Sequence, residues 1–328
     1  MTKVPKLKFG LAATPHGKAV RIHTLVDNYL RSDRFKSLSA SSRRNYMSCM
    51  KSIETLQLRG NRSLFTEYAH RIDYTTADYI KRILSYRKAQ STVALHFSVF
   101  SSIWELGMRN GYIANNPWEK ARIKLDNLRE VVWTYEQIKS AIDMAKECGY
   151  DLLALYITMA YTTGQRPYSD LRELKWENFV KQGDRYILDF TIAKTNQHIL
   201  LPLDKPTENM LLNMPRVSEY IFTDKKGKRL SSTCITNQLH RVKSRCRIPE
   251  DLKMRDLRRT AVTELAQAGA TVSEITAITG WKCSEKVLNR YAVMRLNTAD
   301  NALAKRKAFQ NDSLSKSSSV LSEPTTTT

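Results

Sequence analysis

Five separated segments of the chain carry polar residues that neither helical nor strand patterning requires. In chain order they are Thr163–Leu171 (TGQRPYSDL) with Leu174–Trp176 (LKW), Ala193–Thr195 (AKT), Met254–Thr260 (MRDLRRT), Ile278–Trp281 (ITGW) and Asn289–Ala292 (NRYA). Arginine guanidinium groups stay protonated and donate two hydrogen bonds at once to an oxyanion. A lysine can donate a proton beside them, and a tyrosine hydroxyl can act as a nucleophile. These residue types therefore suit chemistry on an anionic group.

The charge of the whole chain indicates the same kind of partner. The 328 residues include 53 Lys plus Arg and 32 Asp plus Glu, a net charge of +21. Residues 1–122 hold 21 basic and 8 acidic residues, a net +13, and the remainder holds 32 and 24, a net +8. Such an excess favours a polyanionic partner. A hydrophobic content of 42% excludes a wholly disordered basic protein.

Several other classes of protein are excluded by what the sequence does not contain. No apolar stretch approaches the roughly 18 residues of a membrane span. No apolar run of about 7 to 15 residues follows the basic start Met1–Gly10, so a secretory signal is not expected. The cysteines are odd in number and scattered, which predicts reduced thiols: Cys49, Cys148, Cys234, Cys246 and Cys283. The six histidines show no ligand spacing either, so we expect no metal.

Hydrophobic periodicity predicts that the first third of the chain is a small helical bundle. Helices are expected over Ser41–Leu56, Thr76–Tyr86 and Gln90–Asn110, with Gly111 as a C-cap of the last. Asn115–Pro117 then ends helical structure.

The rest of the chain predicts helices around one hairpin. Thr134 and Gln137 form a capping-box pattern, and a second helix over Asp151–Thr163 ends at Gly164. Tyr186–Thr191 and His198–Leu203 are the strands. Residues 194–197 join the two strands. Helical signals then extend from Ser232 almost to Gln310. The Ser-, Thr- and Pro-rich end from Asn311 is expected to be disordered.

In their order and spacing, the five segments resemble the catalytic domain of the tyrosine recombinases, and of phage integrases in particular. The resemblance covers residues 24–308. It implies a mainly α fold with a small antiparallel β-sheet, in which a helical core-binding domain precedes a mixed α/β catalytic domain. The expected division is a basic N-terminal segment, a helical core DNA-binding domain, a linker, a catalytic domain and a disordered tail, at 1–23, 24–121, 122–132, 133–308 and 309–328.

The resemblance implies that the protein cuts and rejoins DNA without a cofactor, a metal or ATP. Tyr291 matches the nucleophile that forms a 3′-phosphotyrosyl link and releases a 5′-hydroxyl. Arg166 and Arg258 match the two arginines that hold the phosphate, and Lys194 matches the hairpin lysine that protonates the leaving oxygen. Trp281 falls where the family has His or Trp, and its indole N–H can donate to a phosphate oxygen or support the packing.

The sequence departs from the family pattern at three places. The family most often has His where this chain has Arg255, which can hold a phosphate oxygen but cannot act as a general base near neutral pH. The carboxylate that usually follows the first arginine by three residues is here Asp170, four residues after Arg166. Tyr291 lies ten residues beyond Trp281, where nine is common.

Basic residues outside these motifs are candidates for contacts with the DNA backbone. In the first domain they are Arg43, Arg44, Lys51, Lys81, Arg82, Arg87 and Lys88, each of which can equally be a solvated charge on a helix. In the second domain Arg259 is a backbone-phosphate contact or an exposed charge.

The expected partners are double-stranded DNA attachment sites, bound by a homotetramer in the cytoplasm and nucleoid of a bacterial host. The resemblance also allows DNA-bending accessory proteins, and no membrane partner is expected. The biological role would be integration or excision of a phage genome or another mobile element. The segment Met294–Lys307 would pack on its own domain or on a neighbouring subunit. Two alternatives stay open: a nicking and closing enzyme like type IB topoisomerases, and a noncatalytic protein that occupies sites.

Overall fold

The computed structural model describes residues 19–120, 123, 130–281 and 303–307, and the chain divides into two units, Met1–Leu128 and Arg129–Thr328. The described structure is mainly helical with one small antiparallel sheet, as predicted. No helix in the described ranges is both long and apolar enough to cross a membrane. Most of the predicted linker, most of the N-terminal segment and all of the predicted tail at 309–328 lie outside these ranges.

The first unit is built from helices. They are α1 (Ile22–Arg31), α2 (Asp33–Lys36), α3 (Ala40–Thr55), α4 (Tyr74–Arg87), α5 (Gln90–Arg109) and α6 (Pro117–Lys120). The three helices predicted here are confirmed as α3, α4 and α5. Gly111 follows α5 with a φ of +72°, a conformation that favours glycine. Helical structure was predicted to end at Asn115–Pro117, but Pro117 begins the short helix α6. Proline is tolerated in the first turn of a helix.

The core of the first unit is aromatic. Trp118 is fully buried, and its ring packs edge-on against Phe100, Trp104 and Phe97 with centroid distances of 4.9, 5.2 and 5.5 Å. These contacts anchor α6 to α5, the longest helix of the unit. The outer side of α3 keeps its basic residues in solvent while Cys49, Met50 and Ile53 face inward.

The second unit places helices around a three-stranded sheet. Its helices are α7 (Tyr135–Glu147), α8 (Asp151–Thr162), α9 (Lys205–Leu212), α10 (Ser232–Arg245), α11 (Asp256–Gln267) and α12 (Val272–Thr279), and its strands are β1 (Phe179–Gln182), β2 (Arg185–Ile192) and β3 (Gln197–Pro202). The strand order is β1-β2-β3 and both pairings are antiparallel. Helix α8 is buried on all sides from Leu153 to Ala160 and forms the centre of the core.

Local signals predicted some elements of this unit and missed others. The capping box of Thr134 and Gln137 is present, and the hairpin pairs Ile192 with Gln197 around the predicted turn. The strand β1 was not predicted, because only its first residue is buried and it shows no alternation. Helix α9 was also missed, although Asp204 caps it. The helical stretch predicted from Ser232 is divided into α10, α11 and α12 up to Thr279, and the described residues 303–307 are also helical.

Candidate active site

Arg166 lies in the loop that follows α8, and a buried carboxylate fixes it. Gly164 ends the helix with a φ of +60°. The Arg166 Nη1 lies 3.1 Å from the Asp170 Oδ2, and the backbone N–H of Arg166 donates to the same oxygen over 3.1 Å. The Asp170 side chain is 1% exposed and that of Arg166 is 22% exposed. The carboxylate therefore orients a guanidinium that still reaches solvent, despite the four-residue spacing.

A buried tyrosine supports the same loop. Tyr156 on α8 donates its hydroxyl hydrogen to the carbonyl of Pro167. Burial raises the pKa of Tyr156 far above its ordinary value, because a phenolate would be desolvated there. Tyr156 therefore stays protonated as a structural donor, unlike a tyrosine that must lose its proton to react.

Arg258, in the first turn of α11, is the most deeply buried of the candidate cations. It is 3% exposed. Its Nη1 donates to the Gly164 carbonyl over 2.8 Å and its Nη2 to the Thr279 carbonyl over 3.1 Å. Its guanidinium carbon lies 5.1 Å from the centre of the Trp281 ring. One side chain thus joins the loop after α8 to the end of α12.

The start of α11 is held in place by Trp133. The backbone N–H of Trp133 donates to the Thr260 hydroxyl over 2.9 Å, and its indole N–H donates to the Lys253 carbonyl over 3.2 Å. Arg255 is the exposed N-cap residue of this helix, one turn before Arg258. Arg259 is half-buried. The two arginines of the RDLR motif therefore differ in surroundings, since one faces solvent and the other is enclosed.

The hairpin that carries Lys194 is tied to the end of α12. Lys194 itself is exposed in the turn between β2 and β3. The hydroxyl of the next residue, Thr195, donates to the Gly280 carbonyl over 3.4 Å. Gly280 has a φ of +63°, and a Cβ there would meet the side chains of Ile192 and Ile199. Glycine is therefore required where the hairpin packs against α12.

Trp281, just after α12, packs its ring against the Arg258 guanidinium. It is 6% exposed and packs with Val262 of α11 and Ile275 of α12. The structure thus brings Arg166, Arg258, Trp281 and the Lys194 hairpin to one place. Tyr291 lies outside the described residues. Within those residues, no three His, Cys, Asp or Glu side chains are grouped to hold a metal ion.

Gln165 belongs to this site and was not among the predicted residues. It is fully buried between Gly164 and Arg166. Its Nε2 donates to the Ile278 carbonyl over 2.5 Å, while its Oε1 is enclosed with no hydrogen-bond partner among the described residues. A buried acceptor without a partner costs about 1–3 kcal/mol. The sequence carries one signal for this residue, which is an amide side chain directly before the arginine. Nothing in the pattern of the loop indicates that this side chain is buried.

The cations predicted to contact DNA in the first unit lie on α3 and α4, except Lys88, which directly follows α4. Six of the seven are exposed, namely Arg43, Arg44, Lys51, Arg82, Arg87 and Lys88, and Lys81 is half-buried. None of them forms an ion pair within the described part of the chain. Their charge is therefore not neutralised by a described carboxylate.

The fold and the grouped cations define the class of tyrosine recombinases. A family model described as the phage integrase family matches residues 132–297. The chain therefore belongs to the phage integrase family and is a tyrosine-type site-specific DNA recombinase.

Several solved integrase structures have a similar fold. A lambda integrase dimer bound to a COC′ core site is 20% identical and has a TM-score of 0.68, covering 83% of this chain and 77% of that one. The Tn1549 transposon integrase in complex with circular intermediate DNA is 14% identical, with a TM-score of 0.71, and covers 87% and 99%. A lambda integrase tetramer bound to a Holliday junction is 19% identical, with a TM-score of 0.70, and covers 84% and 78%. No curated protein is significantly similar in sequence.

Proposed function

We propose that this recombinase integrates or excises a phage or mobile element by cutting DNA through a 3′-phosphotyrosyl link to Tyr291. The observation that carries the proposal is the convergence of Arg166, Arg258 and Trp281 around one loop. Two guanidinium groups in fixed positions suit a phosphate whose oxygens gain negative charge in the transition state. The family assignment supports the nucleophile, because the NRYA segment lies within the matched residues.

In the proposed reaction the Tyr291 oxygen attacks the scissile phosphorus. The bond from phosphorus to the 5′-oxygen breaks, and Lys194 gives that oxygen a proton. Arg166, Arg258 and Arg255 stabilise the nonbridging oxygens, and the Trp281 indole N–H donates to one of them. Arg255 cannot accept the proton of Tyr291, so that proton leaves to solvent, favoured by the surrounding positive charge. Rejoining is the reverse attack by a 5′-hydroxyl, and the phosphotyrosyl bond conserves the energy for it.

The first unit would act as the core DNA-binding domain and the second as the catalytic domain. Contacts from the exposed cations of α3 and α4 to phosphates fix the position of the protein on the duplex but do not select a sequence. Arg259 would add a backbone contact from the second unit. Such contacts make binding strongly dependent on salt.

The active assembly would be a tetramer on two attachment sites. Recombination requires two cuts on each of two duplexes, and each protomer supplies one tyrosine. The lambda integrase with this fold has been seen as a tetramer on a Holliday junction. In the described residues at 303–307, the Lys305 Nζ donates to the Gly269 carbonyl of its own unit over 3.0 Å. Accessory DNA-bending proteins would act on the DNA between sites.

A nicked substrate that carries the attachment site tests the proposal. The nick lets the short 5′-hydroxyl fragment leave after cleavage, so the covalent complex accumulates. We expect an adduct that resists denaturant with the native protein and none with Tyr291→Phe. The matched control is Tyr135→Phe, an exposed tyrosine at the start of α7 of the same unit.

Three results would contradict the proposal. Absence of an adduct with the native protein would favour the noncatalytic alternative. An adduct that persists in Tyr291→Phe would exclude Tyr291 as the nucleophile. Relaxation of supercoiled plasmids that lack any attachment site would favour the topoisomerase-like alternative.

A further inference from the structure

A tight turn of the second unit carries three lysines and is ordered by its own hydrogen bonds. We call residues 224–229 (DKKGKR) the basic turn. The Asp224 Oδ1 accepts the backbone N–H groups of Lys226 and Lys228, each over 2.9 Å. Gly227 has a φ of +75°, and its N–H donates to the Asp224 carbonyl over 2.9 Å. The backbone that carries these lysines is therefore fixed before any partner binds.

The charges of the basic turn are not compensated within the described residues. Lys225, Lys226 and Lys228 are exposed, and none of them pairs with a described carboxylate. Asp224 is the one acidic residue of the turn, and it is engaged with backbone donors. The side chains of the turn before Arg229 thus add up to an excess of positive charge held on a short, rigid loop.

Glu173 and Glu219, which lie in segments that contact the turn or precede it, are already paired with other cations. Arg229 forms an ion pair with Glu173, and its guanidinium carbon lies 5.5 Å from the centre of the Tyr220 ring. Glu219 pairs with Lys175 over 2.9 Å. Because Glu173 and Glu219 neutralise Arg229 and Lys175, they do not neutralise the three lysines of the turn.

The basic turn is fastened to the segment that carries Arg166. Glu173, the partner of Arg229, lies three residues after Asp170, and Asp170 holds the Arg166 guanidinium. Seven residues after Arg229, Thr236 in α10 shares a hydrogen bond of 3.1 Å with the Tyr168 hydroxyl. The end of the basic turn and the helix that follows it are therefore both attached to the segment that carries Arg166.

We propose that the basic turn binds the sugar-phosphate backbone of the DNA duplex that the second unit cleaves. This inference rests on the proposed function, which puts DNA at Arg166. Lysine ammonium groups are compact charges suited to phosphates, and duplex DNA presents one charge for about every 1.7 Å of its axis. The turn has no Asn or Gln side chain to read an adenine edge, and its one arginine is paired with Glu173. We therefore expect the three lysines to contribute chiefly affinity and position.

The test compares two triple variants of the full chain for binding to a 30-base-pair duplex of random sequence over a range of salt concentrations. The first is Lys225→Gln/Lys226→Gln/Lys228→Gln. The control is Lys139→Gln/Lys146→Gln/Lys181→Gln, which removes equal charge from exposed lysines of α7 and β1. Three lost phosphate contacts should make the negative slope of log affinity against log salt shallower by about 2 to 3 in the first variant. The control should change it by less than about 1.

Adduct formation on the nicked attachment-site substrate separates the possible failures. If the native protein forms the adduct and the two triple variants show equal slopes, the basic turn is not a DNA contact and the proposed function stands. If the native protein neither forms the adduct nor binds the duplex with a dependence on salt, both are wrong. Unchanged thermal unfolding midpoints in both variants show that the fold is retained.

Discussion

The two units of the recombinase use polar side chains in opposite ways. The first keeps its candidate DNA-contacting cations on helix surfaces and fills its core with Trp118, Trp104 and Phe100. The second buries Arg258, Gln165 and other polar groups around one loop. An exposed cation attracts and holds a polyanion while remaining hydrated. A cation fixed by backbone carbonyls cannot reorganise, which is the property that stabilises a transition state.

Arg258→Ala should give the largest effect, because it leaves two buried carbonyls without their donor. Loss of both bonds, to Gly164 and Thr279, should lower the free energy of unfolding by about 2–5 kcal/mol. Adduct formation should fall by at least about 10³-fold. Urea unfolding and the single-turnover cleavage rate measure the two effects. The matched variant Arg43→Ala should change stability by less than about 0.5 kcal/mol. Equal free energies of unfolding in the two variants would show that the bonds from Arg258 to the two carbonyls do not stabilise the fold.

Gln165→Met should give an intermediate effect that is confined to chemistry. The variant loses the hydrogen bond to the Ile278 carbonyl, but it also removes the enclosed Oε1 that lacks a described partner. The two changes offset, so the free energy of unfolding should change by less than about 1 kcal/mol. The cleavage rate at saturating DNA should fall about tenfold, because the Arg166 loop loses one of its hydrogen bonds to the end of α12 and only those of Arg258 remain.

Gln238→Met, at a half-buried position of α10, is the control for Gln165. It should leave cleavage and binding unchanged. If Gln165→Met cleaves at the native rate, the amide is packing and does not position the loop.

Arg43→Gln/Arg44→Gln/Lys51→Gln should weaken DNA binding while leaving the chemical step intact. All three side chains are exposed on α3. The negative slope of log affinity against log salt should become shallower by about 2 to 3, and the cleavage rate at saturating DNA should stay within about twofold of native. Filter binding and single-turnover cleavage measure these quantities. A large loss of cleavage at saturation would show that the first unit also takes part in the chemistry.

The smallest expected effect is a decrease in the stability of the first unit in mild acid, caused by a buried histidine. His96 donates to the Thr92 carbonyl over 2.7 Å and contacts the Ser52 hydroxyl over 3.0 Å. Burial lowers the pKa of His96 below its ordinary value. The unfolded chain therefore binds a proton more readily, and stability is lost as the pH falls below about 6.5, by no more than about 1.4 kcal/mol per pH unit.

Hydrogen exchange of the full chain between pH 7 and pH 5.5 measures this effect. The α5 amides, corrected for the intrinsic exchange rate, should lose protection, and the His96→Gln chain should show a flatter dependence. Equal pH dependence in the two chains would exclude His96 as the cause.

The sequence predicted those features that depend on neighbouring residues. The capping box at Thr134, the glycine after α8 and the hairpin around Lys194 each have a local signal, and each is present. The sequence did not predict that Arg258 donates to Gly164, a residue 94 positions away. It also did not predict that Gln165 binds Ile278, because such contacts depend on how helices pack and leave no pattern in the chain.

Asp170 holds the Arg166 guanidinium in place, and we expect the charge of that guanidinium to act on the scissile phosphate. The direct measurement is adduct formation by the native protein and by Arg166→Ala on two nicked substrates. One substrate carries a phosphate at the scissile position, and the other carries a methylphosphonate, in which an uncharged methyl replaces one nonbridging oxygen. On phosphate, the variant should be slower by about 10²–10³-fold. On methylphosphonate the difference should shrink to about tenfold or less, because less charge needs stabilising. An equal ratio on both substrates would contradict the account.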